Sequence, residues 1–263
     1  MDILLLKLTV TPALILLASL AGRRWGEAVG GWFVGLPLTS GPVCLFLAVE
    51  QGTGFAAKST LGSLAGAAAE AGFCLAYGIA ARRGAWPAAL IVGSTAFALA
   101  GAVLAMAALP LAPLLAVVVA ALATSLSLLP QFDMARAALP APPRWDLPAR
   151  IAVATALVLG LTALAPYVGP RLSGLFATYP AFAVVLAAFA HHNSGPAAAV
   201  RVLRGLMIGL FSFAGFFVAL GLTIEPTGIA GGFAAASVVA LAIQGVSLWA
   251  MRRPAAFPRL LRR

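Results

Sequence analysis

What most limits the folding of this chain is the length of its apolar runs, roughly 18–23 residues each between short polar clusters. A bilayer core of about 30 Å is crossed by about 20 apolar residues in an α-helix. A water-soluble helix bundle would need a polar face on every helix, and those faces are missing from the sequence. Composition agrees: 62% of the residues are apolar and only 9% are charged, against about 25% charged in a soluble domain. The expectation is an all-α polytopic membrane protein.

Nine spans fit, at roughly 3–21, 29–49, 59–81, 86–108, 111–129, 149–168, 172–190, 203–222 and 227–250. Only Leu109-Pro110-Leu111 separates the fourth from the fifth, and proline there favours a tight hairpin over one very long helix. The first span carries Asp2 in place of a basic start and Arg23-Arg24 behind it, so it reads as a retained helix and not a cleaved leader.

Charge sets the orientation. With the tail of Arg252, Arg253, Arg259, Arg262 and Arg263 in the cytoplasm, alternation puts Arg23, Arg24, Arg82, Arg83, Arg136, Arg144, Arg150, Arg201 and Arg204 on the same side. That leaves only Lys7, Lys58 and Arg171 of the 17 basic residues elsewhere. Basic residues stay on the cytoplasmic side, which gives an N-out, C-in topology. Trp25, Trp86, Trp145 and Trp249 fall at the same interface, where amphipathic indoles sit. The net charge of +10 then follows from orientation and attraction to anionic lipid head groups, and no nucleic-acid partner is expected. Cys44 and Cys74 lie inside spans with no CxxC or metal-ligand spacing around them, and read as small packing residues.

The sequence also matches itself at an offset of 143 positions without gaps. Gly31 meets Gly174, Phe33 meets Phe176, Pro37 meets Pro180 and Gly52 meets Gly195. Lys58 meets Arg201, Gly62 and Gly66 meet Gly205 and Gly209, and Ala71-Gly72-Phe73 meets Ala214-Gly215-Phe216. Spans one to four are thus repeated as spans six to nine around a linking span. The division is 1–110 for the first repeat, 111–147 for the linking helix and loop, 148–251 for the second repeat and 252–263 for a basic tail. Because an odd number of crossings separates them, the copies insert in opposite orientations. Such a 4+1+4 inverted-topology repeat is a common plan among secondary transporters.

The stretch Ser-Gly-Leu-Phe-Ala-Thr-Tyr-Pro-Ala-Phe-Ala at 173–183, followed by Asn193-Ser194-Gly195 and Arg201, resembles the core of the GlpM/YdgC-type small inner-membrane family. Gly35-Leu36-Pro37-Leu38-Thr39 in the first half resembles it less closely. The resemblance implies a fused double of a single-repeat protein in a bacterial inner membrane. It implies no substrate.

Chemistry is expected at three places. The second and seventh spans carry helix breakers at matched mid-depth positions, Pro37 with Thr39 and Ser40, and Pro180 with Thr178 and Tyr179. Proline removes a backbone donor, and freed backbone groups must face protein or water, so these six residues form a candidate substrate site. Glu70 is the one acid well inside a span. A charge there costs about 2.5–3.5 kcal/mol on the insertion scale, so it reads as a proton carrier or counter-charge, with a serine-bonded structural acid as the bland alternative. Arg201 and Arg204 open the eighth span and are candidates for holding an anionic head group or a carboxylate. His191 and His192 point about 100° apart on a helix, a poor chelate, and read as a polar helix end. The two Gly-x-x-x-Gly pairs read as close-packing surfaces.

No nucleophile elbow, Walker A sequence, zinc motif or carboxylate pair is present, so no enzymatic activity, cofactor or metal is expected. The expectation is a secondary-type permease for a small or lipid-linked solute, coupled to protons through Glu70. Two alternatives stand beside it: a membrane scaffold regulating an envelope enzyme complex, and a polyprenyl-phosphate flippase. Assembly as a homodimer is left open.

Overall fold

The computed structural model describes residues 3–38, 40–132, 143, 145–164 and 179–252. Among these residues there are nine α-helices and no strand: α1 (Ile3–Trp25), α2 (Glu27–Val34), α3 (Ser40–Gln51), α4 (Thr53–Ala80), α5 (Trp86–Ala107), α6 (Leu111–Leu128), α7 (Asp146–Leu164), α8 (Ala181–Ser194) and α9 (Pro196–Arg252). By length and composition, α4, α5, α6 and α9 can each cross a membrane.

The helices begin and end where backbone chemistry requires it. Trp86-Pro87 opens α5 behind an extended Ala85, since proline's missing donor costs nothing in a first turn. Ala108 then takes the left-handed conformation, with φ 43° and ψ 46°, and Pro110 starts α6. The expected division between the fourth and fifth spans therefore exists. The two helices do not form a packed hairpin, however: both lie against α4 and hardly touch each other.

A straight 57-residue helix would run about 86 Å, nearly three bilayer cores. α9 instead turns at Gly228, where φ is 72° and ψ is −178°. Ser212 Oγ donates to the Ala240 carbonyl at 2.8 Å, and Gly215 lies against Val239 and Gly232 against Ile224. These contacts are spaced evenly about Gly228, so the arms 196–227 and 229–252 run antiparallel.

The interior is rich in alanine, packed beside large side chains such as Phe73, Tyr77, Phe97 and Phe217. Ala18, Ala48, Ala56, Ala67, Ala69, Ala71 and Ala187 are buried, while Ile91, Leu99, Val103, Met106, Val238 and Leu241 point outward. A soluble protein has the reverse arrangement. In a bilayer, hydrocarbon is as apolar as leucine, so close backbone packing holds helices together. The closest packing joins α2 to the first arm of α9. A Cβ at Gly31 would strike the Val202 carbonyl, and one at Gly205 would strike the Ala28 carbonyl. Gly35 and Gly209 meet below them, at 2.6 Å from the Cβ position of Gly35 to the Gly209 Cα. Gly205 and Gly209 both make this kind of contact, whereas a Cβ at Gly62, the counterpart of Gly205 in the first repeat, would meet nothing within 4 Å.

Candidate functional site

The break foreseen in the second span is present. The chain leaves helix at Gly35 and re-enters it at Ser40. Pro37 is half-buried between α2 and α3, and its carbonyl accepts the amide of Gly41 at 2.9 Å. The Leu38 amide bonds the Leu36 carbonyl at 2.8 Å. At Tyr179-Pro180, immediately before α8, the same pair of bonds recurs: the Ala181 amide bonds the Tyr179 carbonyl at 2.8 Å, and the Val184 amide bonds the Pro180 carbonyl at 2.9 Å. Pro37 and Pro180 each give their own carbonyl to the first turn of the helix that follows.

The two breaks face one another. Leu36 and Leu38 from the first, Phe182 from just beyond the second, and Leu14, Phe33 and Val34 line one small void of about 10 Å³. That is space for about one water. Ser40 is half-buried at the start of α3. Tyr179 turns to α5, where its hydroxyl shares a hydrogen bond with Ser94 Oγ at 2.8 Å and its ring stands edge-on to Phe97 at 5.6 Å. Thr39 and Thr178 lie outside the described residues. The described hydroxyls of the candidate substrate site are thus not gathered at the void, whose lining is apolar.

Glu70 is half-buried on α4. Its carboxylate has no hydrogen bond or ion pair among the described residues, so the serine-bonded structural acid is not what is found. Two turns further on, on the same stripe of α4, the fully buried Tyr77 hydroxyl meets His191 Nδ1 at 3.1 Å. His191 is only 8% exposed and closes α8. Burial pushes the imidazole's pKa below its ordinary value by disfavouring the cation. His192 stands edge-on to Trp86 at 6.4 Å. The histidine pair does not chelate, and no group of three or more His, Cys, Asp or Glu suits a metal ion among the described residues.

The ion pairs among the described residues gather at the arginine-rich end of the bundle. Asp146, the first residue of α7, is completely buried. Arg23 Nη2 from α1 donates to its Oδ2 at 2.8 Å. Arg150 Nε donates to both oxygens at 3.0 Å, and Asn193 Nδ2 from the end of α8 donates to Oδ1 at 2.6 Å. The position at a helix start adds a favourable dipole. The Arg150 guanidinium also lies over the Phe189 ring at 5.4 Å, a cation–π contact. Glu27, opening α2, faces the same cluster. Burial raises its pKa, and the charges of Arg150, Arg201 and Arg23 pull the other way. Arg201 belongs to this cluster, whereas Arg204, one turn on, is half-buried with no acid beside it among the described residues.

Sequence reading counted Arg23, Arg150 and Arg201 as topogenic charges and did not see the hub that holds them. The signal was there: Asp146 is one of seven acids in the chain, four residues before Arg150, the spacing of a helical ion pair. The Tyr77–His191 pair spans 114 positions and had no sequence signal beyond two buried-type polar residues. No family model, curated protein or solved structure matches this chain.

Proposed function

We propose that the chain is a secondary-type transporter of a bacterial plasma membrane for a small or lipid-linked solute, built from two inverted copies of a GlpM/YdgC-like unit. In this reading it crosses nine times, N-terminus out and C-terminus in. The crossings are α1, the broken pair α2–α3, α4, α5, α6, α7, the span that ends in α8, and the two arms of α9.

Helix ends at the 143-residue offset support the repeat. α3 ends at Gln51 and α8 at Ser194; α4 begins at Thr53 and α9 at Pro196. Between them, Gly52 (φ 88°, ψ 166°) and Gly195 (φ 83°, ψ 177°) take the same conformation, one that residues with a Cβ rarely adopt. The paired carbonyl bonds at Pro37 and Pro180 keep the same register. The topology is supported by the meeting of Arg23, Asp146, Arg150, His191, Asn193 and Arg201 at one end of the bundle.

The observation that carries the transport reading is the meeting of the α2–α3 break and the proline-led start of α8 at one small void. Broken helices at the interface of inverted repeats are where such proteins bind substrate. Here the void is shut and the arginine-rich end is tied by Asp146, so the state is occluded with the cytoplasmic side closed. Rocking of the repeats would open it. Glu70, unpaired within the span, supplies the proton-carrying group, and the Tyr77–His191 pair on the same stripe leads from it to the cytoplasmic end.

The test is proton movement in liposomes holding purified protein, challenged with a panel of small anions and cations, for wild type and Glu70→Gln. Ligand-triggered proton flux in wild type that is lost in the variant is expected. Absence of flux with every ligand in both proteins would remove proton-coupled transport and bring forward the scaffold and polyprenyl-phosphate alternatives. Protection of cysteines placed at positions 39 and 178 by a transported ligand would locate the site.

A further inference from the structure

A large apolar concavity among the described residues lies away from the helix breaks. It is a groove of about 520 Å³ between α6 and the two arms of α9, lined by Leu126, Ile208, Phe211, Ala242, Ile243 and Val246 and reaching Met251. Its size is that of a small-molecule pocket, yet it presents no polar surface. The one hydroxyl on its wall, Ser247, is already used: it accepts from Trp32 Nε1 at 2.8 Å and donates to the Gln244 carbonyl at 2.9 Å. Only hydrocarbon is welcome there.

Length and charge narrow the occupant. From Ala242 to Met251 the groove extends about 14 Å along the helix, close to one leaflet of a bilayer core about 30 Å thick. On the first arm, Arg204 precedes Ile208 by four residues and Phe211 by seven, so all three share one stripe. The arms double back about Gly228, which places Arg204 level with Met251, at the groove's arginine-rich end. The acids of that end are engaged elsewhere: Asp146 holds Arg23 and Arg150, and Glu27 faces Arg150, Arg201 and Arg23. Arg204 is half-buried on the same stripe with no acid beside it among the described residues. A guanidinium so placed calls for an anion with paired oxygens.

We propose that this groove is a resident-lipid site, which holds an acyl chain of one anionic phospholipid while Arg204 binds its phosphodiester. An acyl chain matches the apolar lining and the leaflet-deep length, and the phosphate meets the cation at the membrane surface. The proposal needs only that the bundle sits in a bilayer and is independent of whether it transports.

The experiment is native mass spectrometry of detergent-purified, delipidated protein incubated with palmitoyl-oleoyl phosphatidylglycerol or with the phosphatidylcholine of the same chains. Four proteins are compared: wild type, Arg204→Gln, and the groove-filling variants Ala242→Phe and Ala250→Phe. Ala242 is exposed and Ala250 half-buried on the outer wall, so neither ring enters the core, and the second variant covers a failure of the first to fold.

Wild type should retain one phosphatidylglycerol in preference to phosphatidylcholine by roughly tenfold, a difference of about 1.4 kcal/mol. Filling the groove should abolish retention of both lipids. Arg204→Gln should keep binding and lose the preference. Equal retention by wild type and filled variants would overturn the site, and equal retention of the two lipids by wild type would overturn the role of Arg204. A dimer that dissociates on filling would give the groove to a second copy, and lipid binding gained only on removal of 253–263 would give it to the tail; either result overturns the proposal.

Discussion

The arginine-rich end and the mid-depth breaks are held together by different physics. At the end, one buried carboxylate collects α1, α7 and α8 through Arg23, Arg150 and Asn193. At the breaks, α2–α3 and α8 meet through Leu36, Leu38 and Phe182 around a void of about 10 Å³. A charge network tolerates little change, because each member removed leaves another charge buried. Apolar contacts around a small void give way gradually. The end is therefore a latch of charge, and the breaks are an apolar seam.

The largest expected effect tests that contrast directly. Asp146→Ala leaves Arg150, 7% exposed, without its partner. Breaking a buried pair in this way costs about 3–5 kcal/mol. Leu36→Ala at the seam removes half-buried contacts and should cost less than about 2 kcal/mol, the lower bound for a fully buried leucine. Thermal unfolding of the purified variants in detergent measures both. Losses of equal size would erase the distinction between latch and seam.

A second comparison sets the two halves against each other. Gly205→Ala drives a methyl into the Ala28 backbone, and overpacking of this kind costs about 1–3 kcal/mol. Gly62→Ala, its partner at the 143-residue offset, meets nothing within 4 Å and should be neutral or gain up to about 1 kcal/mol from helix propensity. The same unfolding measurement decides. A penalty at Gly62 as large as at Gly205 would mean that both pairs pack alike and that the asymmetry seen here is absent in the membrane.

What sequence conveyed and what it withheld follow from the kind of information involved. Breaks at Pro37 and Pro180 were legible because a missing donor acts locally. The presence of α4 and of both arms of α9 was legible from their apolar runs and the polar gap at 223–226, but the starts at Thr53 and Pro196 fall six and seven residues before the spans expected at 59 and 203. Partners were not legible. In a chain apolar on nearly every face, periodicity no longer reports which side of a helix packs inward, so the docking of Gly31 on Val202 and the placement of both α5 and α6 on α4 carried no signal. Asp146 was overlooked because charge was read for orientation alone, and a topogenic arginine and a paired one look the same in sequence. Tyr179 was correctly placed at a break, but its hydroxyl turns to Ser94, and nothing local foretold that.

The smallest expected effect concerns where the latch meets the span. The Tyr77 hydroxyl and His191 Nδ1 form one buried hydrogen bond, worth about 1 kcal/mol, and it depends on His191 being neutral if Nδ1 is to accept. Burial lowers the folded-state pKa of His191 below the ordinary 6.5. Below pH 6.5 the unfolded chain therefore takes up the proton first, and stability contributed by the neutral ring falls as pH drops from 6.5 toward the folded value. Above 6.5 that contribution is complete and flat. The melting temperature of wild type should decline across this window, and His191→Asn, which keeps a polar group and removes the titration, should decline less. Tyr77→Phe should lower the melting temperature at pH 7.5 and reduce the acid sensitivity, because the acceptor no longer has a donor to lose. Glu27 also faces this end, and its raised pKa adds stability as pH falls, opposite in direction to His191, so the difference between wild type and His191→Asn, not the slope of either, is the diagnostic. Identical pH profiles for the two would place the titrating group elsewhere and leave the Tyr77–His191 contact as packing without a proton.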